Sequence, residues 1–198
     1  MASKSASSAE RLEIVFGAGE IAASVERMAR EIARDYANTE LHLVAILKGA
    51  IFFVTDLARA LSALNAPALD LAPKCTLDFM VVSSYGNDVR SSGEVRLLKD
   101  ASESVEGRDI LLVEDIVDNG LTLHYLQGLL RSRAPRSLRT AVLLDKPYRR
   151  LADVTLDYVG LTAPDAFVVG YGLDYQERYR TLPFVAKLIL PSGKPLGA

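Results

Sequence analysis

Two apolar rhythms alternate along the chain, one with a period near 3.6 residues and one of short unbroken runs, with polar stretches between them. From Glu20 to Tyr36 the residues Ile21, Val25, Met28, Ile32 and Tyr36 recur at three- and four-residue steps, which predicts an amphipathic helix. Leu41 to Leu47 is a short apolar run closing on Lys48-Gly49, and Ile51, Val54, Leu57, Ala58, Leu61 and Leu64 mark a second helix, so this region reads as strand, tight turn, helix. Lys74 to Val82 is rich in β-branched and aromatic residues and reads as a strand, while Ser83 to Gly93 is a polar loop long enough to move. Ile110 to Val113, Ser137 to Leu144, Phe167 to Tyr171 and Phe184 to Leu190 are further strands, and Thr122 to Arg133 is a helix. Such alternation predicts an α/β protein, its mainly parallel sheet flanked by helices on both faces. Residues 1 to 10 are small and polar and read as a disordered tail, leaving 11–198 as a single domain.

Composition narrows the functional classes. With 23 Lys+Arg against 25 Asp+Glu the net charge is -2, which gives no long-range pull toward nucleic acid or anionic lipid. The one cysteine, Cys75, has no internal partner for a disulfide, and no Cys/His spacing suggests structural zinc. No apolar run has the length of a membrane span and the first ten residues have no secretory apolar core, so the cytoplasm is the expected compartment.

The stretch Leu111-Leu-Val-Glu-Asp-Ile-Val-Asp-Asn-Gly-Leu-Thr-Leu123 carries most of the chemistry. An apolar strand meets three carboxylates, an Asn-Gly turn and a threonine suited to capping a helix. Asn119 and Gly120 tolerate positive φ, so the loop can curl with successive N–H groups inward, and the helix opened by Thr122 adds its positive end. Residues 118–122, Leu121 included, thus form a phosphate cradle. Glu114, Asp115 and Asp118 beside a phosphate would repel it unless they bind something else. Vicinal hydroxyls suit the first two, and hard oxygen ligands suit magnesium, which commonly bridges protein and phosphate. The expected ligand has both a sugar and a phosphate.

This string resembles the phosphoribosyl pyrophosphate signature of the type I phosphoribosyltransferases, in the Glu-Asp-Ile-x-Asp-Thr-Gly-x-Thr form of their hypoxanthine-guanine branch. The resemblance runs from about residue 10 to residue 190, and it implies that family's fold, with a small hood over the base. Leu47-Lys48-Gly49 resembles the pyrophosphate loop, in which a cis peptide precedes the lysine. Ser84-Tyr85 look like the Ser-Tyr of a mobile flap that excludes water. Lys146 matches the lysine that donates to O6 of a 6-oxopurine, a choice that adenine's amino group cannot satisfy. Phe167-Val-Val-Gly-Tyr-Gly-Leu-Asp-Tyr175 is similar to the branch's Phe-Val-Val-Gly-Tyr-x-Leu-Asp-Tyr. By that match the purine lies between Ile116 and Phe167, the backbone of Val168 reads its edge, and Asp174 borders the base and helps Glu114 and Asp115 hold Mg2+. Arg180 reaches the pyrophosphate with Lys48 and Gly49, and Asp118 is the acid/base. The resemblance also implies small-molecule substrates and a homodimer or homotetramer. Two positions depart from the pattern: Asn119 stands where the branch usually has Thr, and Leu121 where vertebrate members have Lys.

Two other readings compete. Gly17-Ala-Gly-Glu-Ile-Ala22 fits a dinucleotide-binding G-x-G-x-x-A after a possible strand at 11–16, but the acid expected beyond the second strand is absent there: Glu40 precedes that strand and Lys48 follows it. An RNA-binding regulator on the same scaffold needs a basic face, which the balanced charge does not provide.

Overall fold

The computed structural model describes residues 10–64, 73–84 and 95–190. Its main layer is a six-stranded sheet in the order β4-β3-β2-β5-β6-β7. The strands β2 (Glu40–Leu47), β3 (Lys74–Ser84), β5 (Asp109–Val117), β6 (Ser137–Asp145) and β7 (Tyr158–Thr162) run parallel, and β4 (Val95–Lys99) pairs antiparallel at the edge of β3. Parallel strands covered on both faces read as unbroken apolar runs, which is why Leu41–Leu47 and Ile110–Val113 show no alternation. Helices α1 (Ala18–Asp35) and α2 (Ile51–Ala63) cover one face, burying Met28, Ile32, Phe53 and Leu57 with Leu43, Leu111 and Val113. Helix α3 (Leu121–Arg131) covers the other, packing Leu123, Leu126 and Leu130 with Val44, Ile110 and Leu112.

A second, antiparallel sheet has the order β1-β9-β8, from β1 (Arg11–Phe16), β9 (Val185–Ile189) and β8 (Val168–Val169). This is the expected hood. It also removes the dehydrogenase reading, because a dinucleotide fold needs the strand before Gly17 inside the parallel sheet and β1 is not there.

Several expected boundaries change. The strand predicted at 110–113 continues to Val117, so Glu114, Asp115 and Ile116 belong to β5 and not to the loop after it. The 167–171 strand shrinks to Val168–Val169 because Gly170 turns to φ +100. Ser83 and Ser84 close β3 and are not loop residues. Thr122 does not cap α3; the cap is Gly120, at φ +83, and the helix runs from Leu121 to Arg131. Glu10, counted with the tail, accepts hydrogen bonds from Arg178 and from the Tyr179 hydroxyl. The rest of that tail, Tyr85 and the remainder of the polar loop to residue 93 lie outside the described residues.

The chain passes from β2 to β3 on one side, then returns to lay β5, β6 and β7 on the other. The order therefore reverses between β2 and β5, and ligands of open α/β sheets bind outside the carboxyl ends of the strands at such a point.

Candidate active site

The register of the sheet brings the motifs together. Ala45 pairs with Val113, so the Leu47-Lys48-Gly49 turn leaves β2 beside Glu114 and Asp115 on β5. Val117 pairs with Asp145, and the Lys146 N–H donates to the Val117 carbonyl at 2.9 Å, which sets Lys146 next to Asp118.

Two hollows abut at the end of β5. One, of about 160 Å³, is lined by residues 114–120 with Thr122 and Leu123. The other, of about 210 Å³, takes in Lys146, Phe167, Val168, Asp174 and Arg180. Asp115, Ile116 and Asp118 line both. A larger hollow of about 670 Å³ over α1, lined by Arg27, Arg30, Arg34 and Leu64 among others, lies away from the ends of the strands and contains none of these motifs.

In the first hollow Glu114 and Asp115 are side by side in the low-dielectric end of the sheet. Burial pushes the Glu114 carboxyl well above the usual carboxylate range, and the neighbouring Asp115 adds to the rise. Burial also raises Asp115, opposed first by the Ile116 N–H that donates to its Oδ1 at 2.8 Å. Glu114 Oε2 and Asp118 Oδ1 are buried with no hydrogen-bond partner within the protein. Buried unpaired acceptors carry a desolvation cost that a donor-bearing or cationic ligand relieves. Asn119 Oδ1 accepts the Leu121 N–H at 3.0 Å, an Asx turn that leaves the Asn119 amide group to donate. The Asn119 carbonyl accepts from Leu151 and Ala152 at 2.8 and 3.1 Å, fixing the cradle from beneath.

In the second hollow Lys146 is only 5% exposed, and its Nζ lies 3.7 Å from Asp118 Oδ2. Burial pulls the Lys146 pKa down, with the Asp118 charge opposing. Phe167 packs edge-on against Tyr175 with ring centroids 5.8 Å apart, and its carbonyl accepts the Leu188 N–H, which ties the hollow to the hood. Val168 is buried and paired with Lys187.

The peptide between Leu47 and Lys48 is cis. A Cβ on Gly49 would fall 1.7 Å from Asp115 Oδ2, and one on Gly172 would fall 1.9 Å from the Gly49 carbonyl oxygen, so the Gly172 and Gly49 backbones and the Asp115 carboxylate stack at this corner. Arg180 donates to the Gly172 carbonyl at 2.7 Å and pairs with Asp174 Oδ1 at 2.7 Å. Lys48 pairs with Glu177 at 2.9 Å. Gly172 and Glu177 were not singled out from the sequence. Gly172 could have been noticed, since it is the variable position of the 167–175 string, but its close approach to Gly49 is a tertiary fact.

Among the described residues no three acidic, His or Cys side chains form a group that would hold a metal alone. A magnesium ion that completes its shell with substrate phosphates and water does not require such a group. Ser84 ends β3, and the expected flap beyond it lies outside the described residues.

Fold and site together define a phosphoribosyltransferase: residues 14–176 match the phosphoribosyl transferase domain, and the chain belongs to that family. The hypoxanthine-guanine phosphoribosyltransferase of Bacillus subtilis (strain 168) is 46% identical over 89% of this chain and 92% of its own length. That of Mycobacterium avium is 47% identical, over 88% and 84%. A crystal structure of a hypoxanthine-guanine phosphoribosyltransferase from Bacillus anthracis, 39% identical, matches with a TM-score of 0.79 over 88% of this chain and 97% of that one.

Proposed function

We propose that the protein salvages purines, transferring the 5-phosphoribosyl group of phosphoribosyl pyrophosphate to hypoxanthine or guanine to give IMP or GMP and pyrophosphate. The observation that carries this reading is the pair of abutting hollows sharing Asp115, Ile116 and Asp118, one acid-lined and backed by a helix N-terminus, the other aromatic with a buried lysine.

The 5-phosphate sits on the amides of the 118–122 turn and the Asn119 side chain, at the positive end of α3. Glu114 and Asp115 accept the ribose hydroxyls, which supply the donor that the buried Glu114 Oε2 lacks. Lys48, the Gly49 backbone and Arg180 face the pyrophosphate. The purine lies between Ile116 and Phe167, Lys146 donates to O6, and the Val168 backbone meets the far edge. As N9 of the base closes on the anomeric carbon, the bond to pyrophosphate breaks and the ribose passes through an oxocarbenium-like state. Cationic side chains stabilise the departing charge, and Asp118 accepts the N7 proton. Glu114, Asp115 and Asp174 would hold Mg2+ together with the substrate, and the ion would supply charge neutralisation at the leaving group. Asp174 already accepts from Arg180 and from the Glu177 N–H, so it takes part with a remaining lone pair.

A flap containing Ser84 and Tyr85 keeps water from the activated ribose. We also propose a cytoplasmic homodimer or homotetramer; no described helix is long and apolar enough to cross a membrane.

The test is a spectrophotometric assay of nucleotide formation with hypoxanthine, guanine, xanthine or adenine, phosphoribosyl pyrophosphate and magnesium. Hypoxanthine and guanine are expected to yield nucleotide and adenine none. No product from either 6-oxopurine sinks the reading, and RNA retention on a filter at low salt would favour a regulator instead. Light scattering of the eluting peak reads the oligomer.

A further inference from the structure

Glu177 has no role in the reaction described above, yet it touches both cations assigned to the pyrophosphate. Its Oε2 lies 2.9 Å from Lys48 Nζ and its Oε1 3.3 Å from Arg180 Nη2. The turn that presents it is unusual: Gln176, Glu177 and Tyr179 all have positive φ, at 53°, 62° and 77°, which residues with a Cβ rarely adopt unless surrounding contacts hold them. Those contacts are present. The Glu177 N–H donates to Asp174 at 2.8 Å, and on the outer side Arg178 and Tyr179 are both bound to Glu10.

We propose that Glu177 is an internal stand-in for the leaving group: its carboxylate keeps Lys48 and Arg180 aligned when the pyrophosphate position is empty, and it must be displaced when pyrophosphate binds. This rests on the assignment of those two cations to the pyrophosphate. Lys48 and Glu177 have side chains 65% and 66% exposed, so their bond is weak and easily exchanged, unlike a buried structural pair. Arg180 is held independently by the Gly172 carbonyl and Asp174, and it stays in place when Glu177 leaves. Glu177 neutralises Lys48 and shares Arg180 with Asp174, so an incoming polyanion gains the full attraction of the two cations only by displacing the Glu177 carboxylate. The consequence for turnover is deliberate weakness: product pyrophosphate is held less tightly than the bare cations would hold it.

Calorimetric titration of inorganic pyrophosphate into the intact protein in magnesium buffer tests this without needing a base or turnover. Glu177→Gln and Glu177→Ala are each expected to tighten binding by about two- to fivefold, the range an exposed ion pair supports. Glu31→Gln on α1 removes an equal charge far from the site and leaves the affinity unchanged. A residue that merely braces the turn would weaken binding when replaced. Unchanged or weaker pyrophosphate affinity in both Glu177 variants overturns the inference. Absence of nucleotide formation by the unmodified protein is a separate result and strikes the functional reading instead.

Discussion

Gly49 and Asp115 occupy positions that admit no side chain between them: a Cβ at 49 would fall 1.7 Å from Oδ2 and 2.5 Å from Cγ of Asp115. Asp115 is itself tied to the Ile116 N–H at the end of β5 and has little room to retreat. Gly49→Ala is therefore expected to displace the carboxylate assigned to the ribose, raising KM for phosphoribosyl pyrophosphate and lowering kcat/KM by at least about tenfold, the worth of one charged hydrogen bond. Steady-state kinetics with a far-ultraviolet circular dichroism check on folding measures it, and near-normal kinetics would show that the corner is looser than described.

Glu114 trades stability for binding. Its folded-state pKa is raised by burial and by Asp115, so the stability it contributes is complete below its ordinary value of 4.5 and is lost as pH rises through the raised value. At neutral pH the ligand-free protein carries that cost. Glu114→Gln should raise the melting temperature of the ligand-free protein by roughly 2–4 °C, what about 1 kcal/mol produces in a chain of this size, while raising KM for phosphoribosyl pyrophosphate. A lower melting temperature would contradict the assigned burial cost.

Lys146 and Asp118 are predicted to separate in kinetics. Lys146→Met removes the donor to O6 and should reduce kcat/KM for hypoxanthine about a hundredfold, chiefly through KM. Asp118→Asn retains the shape and should lower kcat about tenfold or more. Because burial lowers the Lys146 pKa, hypoxanthine use by the unmodified enzyme should decline on the alkaline side before the ordinary lysine value of 10.5. Measuring KM and kcat for each variant against pH distinguishes the roles, and equal effects on both constants in both variants would refute the division.

His42 gives the fold an acid-side weakness. It is buried on β2, with Nδ1 bonded to Thr76 Oγ1 at 2.8 Å and Nε2 unpartnered, 4.0 Å from Asp78. Burial first, then the Arg108 charge, depresses its pKa below 6.5, against the raising charges of Asp78 and Glu103. The unfolded chain takes up the proton first, so stability is intact above 6.5 and is lost as pH falls through the folded value. Urea midpoints of the unmodified protein should drop between about pH 7 and pH 5, and those of His42→Gln should drop less. Parallel curves would assign the loss elsewhere.

Much of this architecture is legible in the chain because its signals are local. The α1 stripe from Ile21 to Tyr36 and the apolar runs at 41–47 and 110–113 announce themselves through burial on one or both faces. The edge elements do not. β4 and β7 pair along one side only, so their residues mix apolar with exposed polar positions and carry no distinct rhythm. The acid residues 114 and 115 read as loop because charged side chains are rarely placed inside a buried strand, yet here the strand continues through them and carries both carboxylates to its end. The cap of α3 went to Gly120, since the chain needs a left-handed turn there more than a side-chain acceptor, and Asn119 had already supplied that acceptor to Leu121. Glu177 and Gly172 depend on contacts across more than a hundred residues, with Lys48 and Gly49, which no local pattern encodes.

The hood joins the first described strand to the last, with β9 seated between β1 and β8. In chain order the six-stranded layer ends at Thr162, ahead of β8 and β9, so the small sheet closes only when β9 inserts between a strand from the start of the described chain and one from its end, and its integrity hangs on that single insertion.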